Sequence, residues 1–211
     1  MPVKTNREYR KFEGVELRKS EDGRMVVEGY ATTFDQPYRL MGDKDVTINE
    51  QVDRHAFDET DMSDVIMQYD HEGRVFARLS NGTLQLEADD HGLKITADLG
   101  GTEIGRQLFE EIDGGYTNKM SFGFTVTGDK KSRSKDENGH ITVLRTITKI
   151  GKLYDVSAVS LPANDATEIS ARSIGDGLIA EALEEVKAEE ERERKIGEIR
   201  KLLKGDQNHD E

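Results

Sequence analysis

The chain has 211 residues, with no cysteine, no tryptophan and only three prolines. Without cysteine there can be no disulfide, no thiolate metal site and no cysteine nucleophile, and nothing points to an oxidising compartment. Histidine is scarce at five residues, and none sits in a His-Glu-x-x-His spacing, so neither a metal nor another cofactor is expected. No stretch approaches the length of a transmembrane helix, and the N-terminal MPVKTNREYRKFEG lacks the apolar run of a signal peptide. A soluble intracellular protein with no membrane partner is therefore expected. The net charge of -13 leaves no basic patch for phosphate neutralisation, which argues against a nucleic-acid partner. Hydrophobic residues at 34% against 35% charged allow one modest core if the charge is kept outside it.

What is present is mostly strand-like. MVVEGYATTF (25–34), VIMQYDH (65–71), ITVLRTIT (141–148) and LYDVSAVSL (153–161) are rich in β-branched and aromatic residues. TLQLEA and LKITADL flank Asp89-Asp90-His91-Gly92 and read as a hairpin. In TNKMSFGFTVTG, Met120, Phe122, Phe124 and Val126 share one face and Ser121, Gly123, Thr125 and Thr127 the other. TEIGRQLFEEIDGG predicts a helix with Thr102 as N-cap, Ile104, Leu108 and Ile112 on one face, and Gly114-Gly115 as stop. A weaker helix is predicted over Asp53 to Asp61, and DKKSRSKDENGH (129–140) reads as a polar loop. The fold class that follows is mainly β with flanking helices (α+β), an antiparallel β-barrel core. The expected division is residues 1–174 as one domain and 175–211 as a charged helical tail. Gly175-Asp176-Gly177 would be the hinge. The tail is dense in Glu, Lys and Arg, with Leu178, Ala182, Val186, Ile196, Ile199 and Leu203 at roughly helical spacing. It reads either as a solvated helix or as a segment that docks on a partner or is trimmed away.

Three candidate positions carry chemistry. His71 closes an apolar strand and follows Asp70, whereas His55 falls on the surface of the predicted 53–61 helix and His91, His140 and His209 fall in the hairpin turn, the polar loop and the tail. A strand-end histidine is usually structural, and so is a serine on a strand such as Ser121. The G-x-S-x-G elbow is absent, because Lys119 stands where the first glycine would be. Asp155 places a carboxylate inside an apolar strand, where it needs a partner: arginine, backbone amide or imidazole. Together, His71, Ser121 and Asp155 could form a base, a nucleophile and an acid. Their order along the chain matches none of the three familiar hydrolase orders. A metal held by His71 and Asp70 is the weaker alternative, and a non-enzymatic assembly factor is another.

The motifs EGYATTFDQPY, HAFDET, VIMQYDH, DDHGLKITADL, GRQLFEEIDGG, KMSFGF and DVSAVSLPAND resemble those of the prohead maturation serine proteases of tailed bacteriophages, relatives of the herpesvirus protease assemblin. The resemblance implies an assemblin-like barrel, with Ser121 as nucleophile and His71 as general base. It implies Asp155 as third member, with Asp70 and Glu168 as competitors. Backbone N–H groups at Ala163 and Asn164 would hold the oxyanion, and Gly123 would leave room for a substrate backbone beside a cleft at Ser121. The chain departs from the family in reading Tyr69-Asp70-His71-Glu72 around the base and His55 before the Ala-Phe pair. It also has no arginine after Asp155 until Arg172. The implied partners are the major capsid protein with its scaffolding segment and a second copy of the chain. The implied place is the assembling procapsid in the host cytoplasm, with a prophage as one source of the gene. The tail would recruit the enzyme and be lost by self-cleavage.

Overall fold

The computed structural model describes residues 7–16, 18–19, 25–159 and 165–205; side chains 11–16, 18–19, 165–175, 190 and 199–205 are not among those described. The strands are β1 (Arg7–Glu16), β2 (Arg18–Lys19), β3 (Val26–Thr33), β4 (Tyr38–Gly42), β5 (Val46–Val52), β6 (Ile66–Tyr69), β7 (Glu72–Arg78), β8 (Leu84–Ala88), β9 (Gly92–Asp98), β10 (Lys119–Lys135) and β11 (Ile141–Val159). The helices are α1 (Glu103–Asp113) and α2 (Asp165–Gly205).

One sheet has seven strands, running β1-β10-β11-β5-β4, with β6 on β11 and β7 on β6; the other runs β2-β3-β9-β8. The larger sheet curls into a half-barrel. It is mixed and not wholly antiparallel, because β11 pairs in parallel with both β5 and β6. The reason is length. β11 is a single strand of 19 residues, where two separate strands were expected, so its edge receives β5 near Ile141 and β6 near Asp155. Register shifts near Phe124, Val126 and Gly128 let the long β10–β11 pair bend.

The core lies between the two sheets. Val27, Leu93 and Ile95 from the smaller sheet meet Met120, Phe122, Phe124, Val156 and Met67 from the larger, with Leu108 and Ile112 of α1 closing one side. Each such side chain contributes roughly 1.5–3 kcal/mol on burial. Phe122 and Phe124 stack at 4.3 Å between centroids, which makes this part of β10 a rigid platform. α1 forms as predicted: the Thr102 hydroxyl accepts from the Gly105 N–H at 3.1 Å.

Three expectations change. Residues 54–59 form successive turns, not a helix, because Asp61 is drawn into a β-bridge with Lys152. The polar 129–140 segment is a loop only at its end: β10 continues through it to Lys135, paired with β11 as a two-stranded arm that sets Lys135 opposite Ile141, and 136–140 make the connecting turn. α2 runs unbroken through Gly175-Asp176-Gly177, where a hinge was expected. Its first half is not merely solvated. Leu178 and Ala182 are buried against Val46, Ile48, Ile141 and Val143, and Lys131 and Arg133 of the arm pair with Glu181 and Glu189 at 2.5 and 2.7 Å. The arm's charges thus hold the helix whose apolar stripe covers the sheet.

Candidate active site

Three elements converge on one point. β10 presents Ser121, its cross-strand neighbour β11 presents Asp155 two residues before Ser157, and the β6–β7 turn presents His71. That turn is a two-residue loop closed by the pair Tyr69 and Glu72, with Asp70 at φ 47° and His71 at φ 63°. Positive φ at both central positions is the pattern of a type I′ turn, in which glycine or asparagine is usual. Two non-glycine residues held there cost on the order of 1–3 kcal/mol each. The Asp70 N–H, donating to the Ala158 carbonyl at 2.9 Å, helps to hold the turn against β11.

His71 Nδ1 lies 2.5 Å from Asp155 Oδ1, and His71 Nε2 lies 2.6 Å from Ser121 Oγ. An ionised carboxylate can only accept, so Nδ1 carries the ring proton and Nε2 is free to accept from the serine hydroxyl. The Ser157 hydroxyl donates to the same Oδ1 at 2.8 Å, and the Arg7 guanidinium donates to Oδ2. Asp155 is fully buried, and Ser121 is 1% exposed. Tyr9 packs edge-on against the imidazole at 4.4 Å between ring centroids. Burial pushes the Tyr9 hydroxyl above its ordinary value, against the opposing charge of Arg7, so it sits beside the imidazole as a neutral phenol.

Ser121 Oγ has a second acceptor, the Arg10 carbonyl oxygen at 2.9 Å. The hydroxyl has one proton, so the two acceptors compete for it. Among the described residues Ser121 is closed over, not set in an open cleft. The room left by Gly123 is also filled: a Cβ there would lie 2.4 Å from Asp155 Oδ2, 2.9 Å from Arg7 Nε and 2.9 Å from Tyr9 Cε1. The glycine makes room for the acid and its partners. A separate cleft of about 620 Å³ lies between the β6–β7 hairpin and α1, lined by Tyr69, Asp70, Glu72, Arg74, Phe76 and Leu108 among others. It flanks the turn without being lined by either His71 or Ser121.

β1 carries this arrangement by its alternation. Arg7 and Tyr9 lie opposite Thr125 and Gly123, on the face of Ser121, while Glu8 and Arg10 turn the other way. There Arg10 pairs with fully buried Glu50, which also accepts from Tyr38 and, at 2.7 Å, from Arg145. Burial alone would raise the Glu50 carboxyl. The Arg10 and Arg145 charges outweigh it and hold Glu50 below the ordinary carboxylate range. The network pins β1 against the sheet.

A family model described as caudovirus prohead serine protease matches residues 13–179. The chain belongs to that family. Searches of curated proteins and of solved structures found no match. The prohead protease is thus a serine protease and, in general terms, a capsid-maturation enzyme acting on capsid proteins in the procapsid. Among its described residues no helix is long and apolar enough to cross a membrane, and no group of three or more His, Asp or Glu residues could hold a metal.

Of the predicted site residues, the structure brings His71, Ser121 and Asp155 together. Between the competing acids, Asp155 and not its neighbour Asp70 meets Nδ1. Glu168 falls in the part of α2 whose side chains are not described, and Ala163 and Asn164 lie outside the described residues. Sequence reasoning missed Ser157, Arg7 and Tyr9. For Ser157 a signal existed: it lies two residues from Asp155 and so on the same strand face. For Arg7 and Tyr9 the sequence offers only the alternation of REYR.

Proposed function

We propose that this prohead protease cleaves the scaffolding segment of the capsid protein, and itself, through an acyl-enzyme formed on Ser121. His71 Nε2 takes the hydroxyl proton as Oγ attacks the peptide carbonyl and returns it to the leaving amine. Water then attacks the acyl-enzyme with the same base. Asp155 holds the ring in the tautomer that leaves Nε2 free and steadies the imidazolium. Backbone N–H groups of Ala163 and Asn164 are the proposed oxyanion donors. The observation that carries this reading is the continuous hydrogen-bonded chain from Asp155 Oδ1 through His71 to Ser121 Oγ, at 2.5 and 2.6 Å.

Because Ser121 is 1% exposed, substrate entry needs the cover over it to move, which keeps the enzyme quiet until it does. The test is intact mass over time for the wild type and Ser121→Ala, with a fluorophosphonate added in parallel and the capsid protein co-expressed. The expected result is labelling at Ser121, truncation of the wild type and cleavage of the capsid protein, all absent from the variant. Cleavage that survives Ser121→Ala would overturn the reading.

A further inference from the structure

We infer that Arg7 is a positioning residue for the reaction, fixing Asp155 so that its other oxygen stays on the imidazole; this rests on the triad reading above. Asp155 is fully buried, and its two oxygens are divided between partners. Oδ1 accepts from His71 Nδ1 and Ser157, while Oδ2 accepts only from Arg7 among the hydrogen bonds formed by described residues. A guanidinium does not lose its proton in proteins, so Oδ2 always meets a cation. With both oxygens engaged, the carboxylate plane cannot turn. Without Arg7, Oδ2 would be a buried anionic oxygen facing the space over Gly123, and rotation about Cβ–Cγ would draw Oδ1 from Nδ1.

Arg7 is itself clamped for this task. Its guanidinium carbon lies 4.4 Å from the Tyr154 ring centroid and 5.2 Å from that of Tyr9, distances suited to cation–π contact. Its Nε is buried without a hydrogen-bond partner among the described residues. Leaving a donor of this kind unmatched is unfavourable, and such groups in a native structure call for an explanation. Anchoring β1 does not supply one, since Arg10 and Glu50 already do that from the opposite face. Holding the acid does.

Arg7 has an electrostatic consequence as well. Among the described residues, the groups facing His71 are Asp155 of β11, Ser121 of β10, Tyr9 and, across Asp155, Arg7 of β1, with Asp70 and Glu72 flanking it in its own turn. Arg7 is the fixed cation in this set, and it opposes the build-up of positive charge on the ring. Removing it leaves the Asp155 charge uncompensated beside the ring, so the acid limb of Ser121 labelling should move to higher pH.

The experiment is the rate of Ser121 labelling by a fluorophosphonate on the full chain, across pH, for the wild type, Arg7→Gln, Arg7→Lys and Ser121→Ala. For Arg7→Gln the maximal rate should fall roughly 10- to 100-fold, the scale of a misplacement of about 1 Å. The apparent affinity for the reagent should stay unchanged, and the acid limb should move to higher pH. Arg7→Lys, which keeps the charge, should restore the limb and part of the rate. An unchanged rate in Arg7→Gln overturns the inference, and so does a fall with an unmoved limb and no rescue by lysine, the mark of a purely structural role. Labelling that persists in Ser121→Ala would instead overturn the triad reading, so the two failures are distinguishable.

Discussion

Gly123 on β10 lies directly across from Asp155 on β11, and a Cβ at Gly123 would fall 2.4 Å from the Asp155 Oδ2. No real Cβ tolerates that approach, and the neighbouring atoms are a buried carboxylate and a clamped guanidinium with little freedom to retreat. Gly123→Ala should therefore push Asp155 away from His71. We expect a fall of about 100-fold in Ser121 labelling by a fluorophosphonate, as for other small misplacements of reacting groups. Thermal unfolding should show a loss of roughly 1–3 kcal/mol from overpacking. Wild-type labelling in this variant would show that the space over Gly123 is not needed by the acid.

Asp155→Asn keeps the shape of the side chain but lets the amide donate to His71. The ring would then take the tautomer with its proton on Nε2 and could not accept from Ser121. A loss on the order of 10⁴ in peptide cleavage is expected, comparable with the same change in other triads. The cleavage rate of co-expressed capsid protein measures it, and retention of more than about a tenth of wild-type activity, a cost of about 1.4 kcal/mol in the barrier, would exclude Asp155 as the orienting acid.

The Glu50 network sets the limits of stability. Glu50 has its carboxyl below the ordinary value of 4.5 in the folded chain, so its contribution is present above that pH and is lost as pH falls through the lowered folded value. Tyr38 runs the other way. Burial, reinforced by the Glu50 charge, pushes its hydroxyl well above 10.0, so its contribution is present below that pH and is lost as pH rises through the raised value. Denaturant unfolding across pH should show both limbs, with Glu50→Gln flattening the acid one and Tyr38→Phe the alkaline one. At neutral pH Glu50→Ala should cost about 3–5 kcal/mol, because it leaves Arg10 and Arg145 buried with one fewer partner.

α2 is predicted to be part of the folded unit over its first half. Leu178 is 6% exposed against Val46, Ile48, Ile141 and Val143. Leu178→Ala should destabilise by about 2–5 kcal/mol, whereas changes among the exposed charges of 191–195 should stay within about 0.5 kcal/mol. A chain truncated after residue 174 should be less stable and expose the same apolar face, readable by thermal unfolding and dye binding. Equal stability with and without the helix would make the packing incidental.

Much of the site was legible before any coordinates. The alternation in MSFGF placed Met120, Phe122 and Phe124 in the core and Ser121 on the opposite face, because the side-chain period of a strand is two. A carboxylate amid apolar residues at Asp155 signalled a buried partner, because an unpaired anion there is too costly to keep. The α1 boundaries were legible from Thr102 and Gly114-Gly115, since caps are local chemistry.

Pairing was not legible in that way. That β11 is one strand with two parallel neighbours depends on partners far away in sequence, and that 129–135 is strand depends on its pairing with 141–147 across the turn. Local polarity reports exposure and not hydrogen bonding. The sequence by itself determined the strand-rich class, the faces of the central strand and the residue types able to form a triad, because these follow from periodicity and from the chemistry of each side chain. Only the tertiary structure decided that Asp155 and not Asp70 meets Nδ1. It also decided that Gly123 makes room for the acid, and that Arg7, 148 positions away in sequence, holds the other carboxylate oxygen. Those relations exist only where β1, β10, β11 and the β6–β7 turn are brought together.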